Sequence, residues 1–114
     1  MNTLQTVAEM PEFQRRAKLI MSDAERVDLV NTIAANPISG VSIGGGLRKV
    51  RVARSGGGKS GGYRVVYVFG GRHMPIFLVT MFAKNEKDNL STSEKAALVE
   101  LSKKLVDFYG AKNE

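Results

Sequence analysis

The chain of 114 residues contains no cysteine, which excludes both a disulfide framework and a thiolate zinc site. Histidine occurs once, as His73, so a two-histidine nuclease pair cannot be assembled. Acidic residues are few, 11 against 17 basic ones, and they are scattered without the spacing that holds hard cations. A two-metal nuclease is not expected, and neither a metal nor any other cofactor is. No apolar run approaches the roughly 18 residues that a membrane span needs. The first residues lack the basic start, apolar stretch and small-residue cleavage site of a signal peptide. A cytoplasmic protein is the expectation.

What is present is an ordinary globular composition, with 43% hydrophobic and 25% charged residues. The length suits one domain spanning 1–114 with one core. The formal charge is +6, and its distribution is more informative than its total. Between Arg48 and Lys87 stand nine basic residues and a single acid, Glu86, while the rest of the chain carries eight basic and ten acidic residues. A basic excess gathered into one contiguous segment is expected of a polyanion-binding face. The competing explanation is a solvated sheet face on a basic protein.

Hydrophobic spacing divides the chain. Leu4 to Ala8 reads as a short opening strand with weak alternation. Met10, Phe13, Ala17 and Ile20 recur at helical spacing. After a break at Met21, Ser22 and Glu25 fit a capping box. Val27, Val30, Ile33 and Ala34 then continue an apolar face until Asn36-Pro37 stops it, which completes a helical hairpin. The period next becomes strand-like: Leu47–Val52, Tyr63–Phe69 and Pro75–Phe82, the last a nearly continuous apolar run typical of a buried strand. A turn at Gly70–His73 and short connections favour an antiparallel meander. Ser91 and Glu94 form a second capping box. Ala97, Leu98, Leu101, Leu105 and Phe108 mark a closing helix, with Gly110 placed as its stop. The fold class is α+β.

Gly56–Gly62 contains Gly58-Lys59-Ser60, the core of a phosphate-binding loop. That loop requires a glycine where Ala53 stands, and a helix directly after it. A β-branched strand follows instead, so nucleotide hydrolysis is rejected. What remains is a hairpin loop carrying Lys59, either a plain connection or a lysine able to reach an irregular ligand.

RNA cleavage requires neither metal nor histidine. The ribose 2′-hydroxyl can attack the adjacent phosphodiester while the protein supplies orientation and positive charge. Lysine and arginine provide the charge, and a lysine crowded by other cations can serve as acid or base. Lys49 and Arg51 lie two apart on one strand and project from the same face. Arg64 sits on the next strand, and Lys84 and Lys87 follow the one after. Arg48 and Arg54 have the opposite parity, so their expected partners are RNA at the periphery or solvent. Arg72 and His73 read as solvated turn residues. Tyr63, Tyr67 and Phe82 are either core aromatics or surfaces for stacking bases.

The runs Gly46-Leu47-Arg48-Lys49-Val50-Arg51-Val52-Ala53, Gly61-Gly62-Tyr63-Arg64-Val65-Val66-Tyr67 and Phe82-Ala83-Lys84-Asn85-Glu86-Lys87-Asp88-Asn89-Leu90 resemble RelE-family toxins, with the HigB branch the nearest match. The similarity extends over nearly the whole chain, the helical hairpin included. The resemblance implies a microbial RNase fold, a helical hairpin packed on a small antiparallel sheet with a C-terminal helix. It implies metal-independent, ribosome-dependent cutting of mRNA in the decoding site, and neutralisation by a cognate antitoxin. By position, Lys49 and Arg51 match the family's basic strand pair, Arg64 its phosphate-binding arginine and Lys84 the lysine closing the last strand. Arg48, Arg54, Lys59 and Asn85 join the RNA-binding set.

Three positions depart from the family pattern. Asn85 stands where the best-known members place an arginine used as general acid. Ser91 falls roughly at their stacking tyrosine. Arg51 replaces a lysine, and arginine is a poor general base because it stays protonated. The resemblance then leaves Lys84 or Lys87 as proton donor and Phe82 or Tyr67 as stacking surface. Two other functions share the fold: a ParE-like inhibitor that binds gyrase without cutting RNA, and a non-catalytic RNA-binding module. Fold alone does not choose among them.

Overall fold

The computed structural model of the chain describes residues 5–53, 62–83 and 89–112. Its elements run β1 (Val7–Glu9), α1 (Pro11–Ile20), α2 (Asp23–Ala35), β2 (Val41–Gly44), β3 (Leu47–Val52), β4 (Tyr63–Val68), β5 (Ile76–Ala83) and α3 (Thr92–Lys112). The α+β class and the order helices, strands, helix are as the hydrophobic spacing predicts. No helix among the described residues is long and apolar enough to cross a membrane.

Local chemistry explains the two N-terminal helices. Pro11 opens α1, where its missing N–H costs no hydrogen bond. Glu12 in the first turn and Lys18 in the last suit the helix dipole. At the start of α2 the Ser22 hydroxyl accepts from the Glu25 N–H at 3.1 Å, and the Glu25 carboxylate accepts from the Ser22 N–H at 2.8 Å. Such a cap stabilises a helix by about 1 kcal/mol. The buried face of α2 is Leu29, Ile33 and Ala34, with Val30 half-buried. Val27, expected on that face, is instead exposed. Two residues on from Val27, Leu29 lies about 200° around the helix axis, and the sheet selects the side that Leu29 occupies.

The sheet has five strands in the order β1-β5-β4-β3-β2. The expected meander β3-β4-β5 forms its antiparallel centre. Two edges enlarge it. β1 pairs with β5 in parallel, Val7 opposite Ile76, which makes the sheet mixed rather than antiparallel throughout. β2, absent from the strand expectation, forms a hairpin with β3. Its turn contains Gly45 (φ +62°) and Gly46 (φ +93°), and a Cβ on Gly45 would stand 2.8 Å from the Lys103 side chain. The fully buried Ser102 donates to the Gly45 carbonyl at 2.7 Å. The N-terminal segment is tied down by Gln5, whose amide donates to the carbonyls of Gly71 and Met74, both at 2.7 Å.

Helices cover both faces of the sheet. On one side Phe13, Ala17, Leu29 and Ile33 pack with Tyr63, Val65, Tyr67, Ile76, Leu78 and Met81. On the other, Leu98, Val99, Leu101, Leu105 and Val106 of α3 lie over Leu47, Val66, Val68 and Val79. Successive β4 residues alternate between the two cores, as the strand period requires, so the middle strand is buried on both faces. The reciprocal cap opening α3 is present, with Ser91 Oγ accepting from the Glu94 N–H at 3.1 Å and the Glu94 carboxylate from the Ser91 N–H at 2.8 Å. The predicted stop is not: α3 runs through Gly110 to Lys112. A terminating glycine must turn to positive φ, and Gly110 does not.

Candidate functional site

Of the six residues of β4, only Arg64 is not buried. Its direct cross-strand neighbour on β3 is Arg51, which is exposed, and on β5 it faces Phe82. Residues opposite one another in a sheet project from the same face. Two rungs along, Lys49 stands opposite Val66 on that same face. The face is the one α3 covers, but its cover reaches Leu47, Val66 and Val68 and leaves the Arg51–Arg64 rung at the margin. Cations placed directly opposite repel across a strand pair. The planar guanidinium fork matches phosphate oxygens two at a time, so an anion can bridge both.

Lys49 is held by a neutral acceptor. Its Nζ donates to Asn89 Oδ1 at 2.8 Å, and the same oxygen accepts from the Leu90 N–H at 2.9 Å. The ammonium therefore keeps its charge uncompensated while its position is restrained. Lys49, Arg51 and Arg64 thus share one face, as the parity of β3 predicts. Arg54, Lys59, Lys84, Asn85 and Lys87 lie outside the described residues.

Three members of the expected RNA-binding set have other employment. Arg48 pairs with Tyr67 and projects from the opposite face, where its guanidinium donates to the carbonyls of Ile38 at 2.9 Å and Gly40 at 3.0 Å. It clamps the loop before β2. Tyr67 has no exposed surface, and its hydroxyl stands 2.8 Å from the Pro37 carbonyl and 3.0 Å from that of Ser39. Phe82 is 1% exposed. Neither ring has a free face for a base to stack on, because the two cores consume both sides of β4 and β5. Ser91 caps α3. Arg72 and His73 are exposed in the β4–β5 turn. Among the described residues no three His, Asp or Glu side chains gather as a metal-holding group.

Two residues near the site were invisible to spacing arguments. Asn89 carries no charge and lies in a connection. Lys95 sits on a helix that patterning assigns to the core. A local signal did exist for the second: a cation near a helix N-terminus opposes the dipole, and an unfavourable choice is a mark of function.

Two hollows flank the region. One, of about 610 Å³, lies between α1, β5 and α3 and is lined largely by apolar groups, with Glu12, Arg16 and Glu94 among its residues. Arg16 Nε there donates to the Met81 carbonyl at 3.0 Å. Apolar walls and two carboxylates make it a poor seat for phosphate. The other, of about 230 Å³, contains Lys49, Asn89 and Lys95.

A family model described as the RelE toxin of the RelE/RelB toxin–antitoxin system matches residues 6–113. The chain belongs to the RelE toxin family. It is accordingly a toxin of a toxin–antitoxin system, and the cationic rung belongs to a RelE-family sheet. The match takes in β1, both N-terminal helices and all of α3, so every element that positions Lys49, Arg51 and Arg64 falls within it.

Proposed function

We propose that this RelE-family toxin is a ribosome-dependent endoribonuclease of the HigB type, which cuts mRNA by metal-independent attack of the 2′-hydroxyl. The observation that carries the reading is the Arg51–Arg64 rung with Lys49 beside it. In the reaction the 2′-oxygen forms a bond to phosphorus as the bond to the 5′-oxygen breaks. The 2′-hydroxyl gives up its proton to a water molecule, and the departing 5′-oxygen takes one. Negative charge grows on the non-bridging oxygens, where fixed guanidinium groups stabilise it more than they stabilise the ground state. Arg51 and Arg64 serve there as charge stabilisers, being always protonated. Lys84 or Lys87, which follow β5 in the chain, supply the proton to the leaving oxygen. The ribosome holds the message in line, and a cognate antitoxin silences the toxin between uses. The cytoplasm, where ribosomes work, is its place of action.

Expression of the wild-type chain should halt translation and leave new transcript ends within coding regions. Arg51→Ala and Arg64→Ala should each lower mRNA cleavage on purified ribosomes by about 10²–10³-fold, the range for losing one preorganised charge stabiliser. Arg64→Lys should recover only part of the loss, because an ammonium cannot make the bidentate contact. Folded, fully toxic Ala variants would refute the site. Growth arrest with intact messages would instead favour a gyrase inhibitor.

A further inference from the structure

The smaller hollow beside the cationic rung is built from three separate elements. Val41, Ser42 and Ile43 of β2 form one wall, Lys49 of β3 enters from the sheet, and Asn89, Leu90 and Lys95 close it from the start of α3. Among the described residues no carboxylate lines it. Two lysines therefore line one concavity of about 230 Å³ with no acidic residue among the described residues of its lining.

Among the described residues nothing compensates its charges. Lys49 is tethered to an amide oxygen, which orients the side chain without neutralising it. Lys95 has no side-chain partner among the described residues, whereas Lys103, on the same helix, stands 3.7 Å from Glu100. Lys95 also lies one residue past the capping-box glutamate, within the stretch where the helix dipole disfavours a cation. Both the pairing and the position are unfavourable to the isolated protein and favourable to a bound anion.

We propose that the hollow formed by Lys49, Asn89 and Lys95 is a second phosphate subsite, which holds a backbone phosphodiester of the RNA next to the one on the Arg51–Arg64 rung. The inference rests on the ribonuclease reading for the identity of the anion, but not for its existence. Lys49 lies between the two subsites and ties them into one track along the edge of α3. Asn89 is a positioning residue, since it reaches the RNA only through Lys49.

The test is equilibrium binding of a short single-stranded 2′-O-methyl RNA, which cannot be cut, to the full chain over a range of salt concentrations. Each lost phosphate contact lowers the slope of log K against log salt by about 0.7 for single strands. Lys95→Ala should lower the slope by that amount and weaken binding alike for every RNA sequence. Lys103→Ala removes the same charge from the same helix away from the hollow and should leave the slope unchanged. Asn89→Ala should weaken binding, and Asn89→Gln should not restore it, because the longer side chain moves the acceptor.

Equal effects of Lys95→Ala and Lys103→Ala would show general electrostatics and overturn the subsite. An unchanged slope for Lys95→Ala, or no RNA binding by the wild-type chain at low salt, would overturn it as well. If Arg51→Ala and Arg64→Ala abolish ribosomal cleavage while Lys95→Ala leaves the slope intact, the ribonuclease reading stands and the subsite falls. If Lys95→Ala lowers the slope while the arginine variants still cleave, the subsite stands and the assigned centre falls.

Discussion

At the scale of single residues, the distinction between a side chain that holds the fold and one that meets RNA is a matter of which atoms are already occupied. Tyr67→Phe removes a hydroxyl that faces two carbonyl oxygens inside the protein. It should lower stability by about 1–2 kcal/mol in urea denaturation and leave ribosomal cleavage per folded molecule unchanged. Reduced cleavage at unaltered stability would return Tyr67 to the RNA. The charged residues were legible from sequence, since alternation along Leu47–Val52 sets Lys49 and Arg51 on one face and Arg48 on the other. The aromatic ones were not. In Tyr63–Val68 both parities are apolar apart from Arg64, so the pattern carries no record of which ring is enclosed and which is open. Arg48 shows a second limit: its partners are carbonyls eight and ten residues earlier, and carbonyls leave no trace in side-chain spacing.

At the scale of elements, what could be read was what is encoded within a few neighbouring residues. Both capping boxes and the three central strands depend on short-range chemistry and were found. The strand β1 pairs with β5 across most of the chain length, and β2 is a four-residue strand ending in glycine; neither carries enough local alternation to announce its partner. Gly110 fails differently. Its composition suggests a stop, but nothing forces it out of the helix, and a Cβ there would meet no atom within 4 Å. Gly110→Ala should therefore stabilise the protein by about 0.5–1 kcal/mol. Thermal denaturation should show Tm higher by roughly 2–5 °C. A fall in Tm would mean that the end of α3 needs glycine's freedom after all.

At the scale of the whole molecule, charge and topology act together. The basic segment identified by counting supplies β3, β4 and the stretch after β5, and the sheet order sets β3, β4 and β5 side by side. Among the described residues, folding gathers Lys49, Arg51 and Arg64 of that run onto one face. Arg64 is borne by the middle strand, whose neighbours on both sides and cores above and below must all separate before it can move. Amides of such a strand exchange with solvent only when the entire protein opens. Heat should accordingly abolish mRNA cutting and secondary structure along one shared curve, measured by residual activity and circular dichroism. Activity lost at distinctly lower temperature would reveal a part of the centre that loosens by itself. On the first outcome the toxin would have no softened, half-working form: each molecule would be either armed or unravelled.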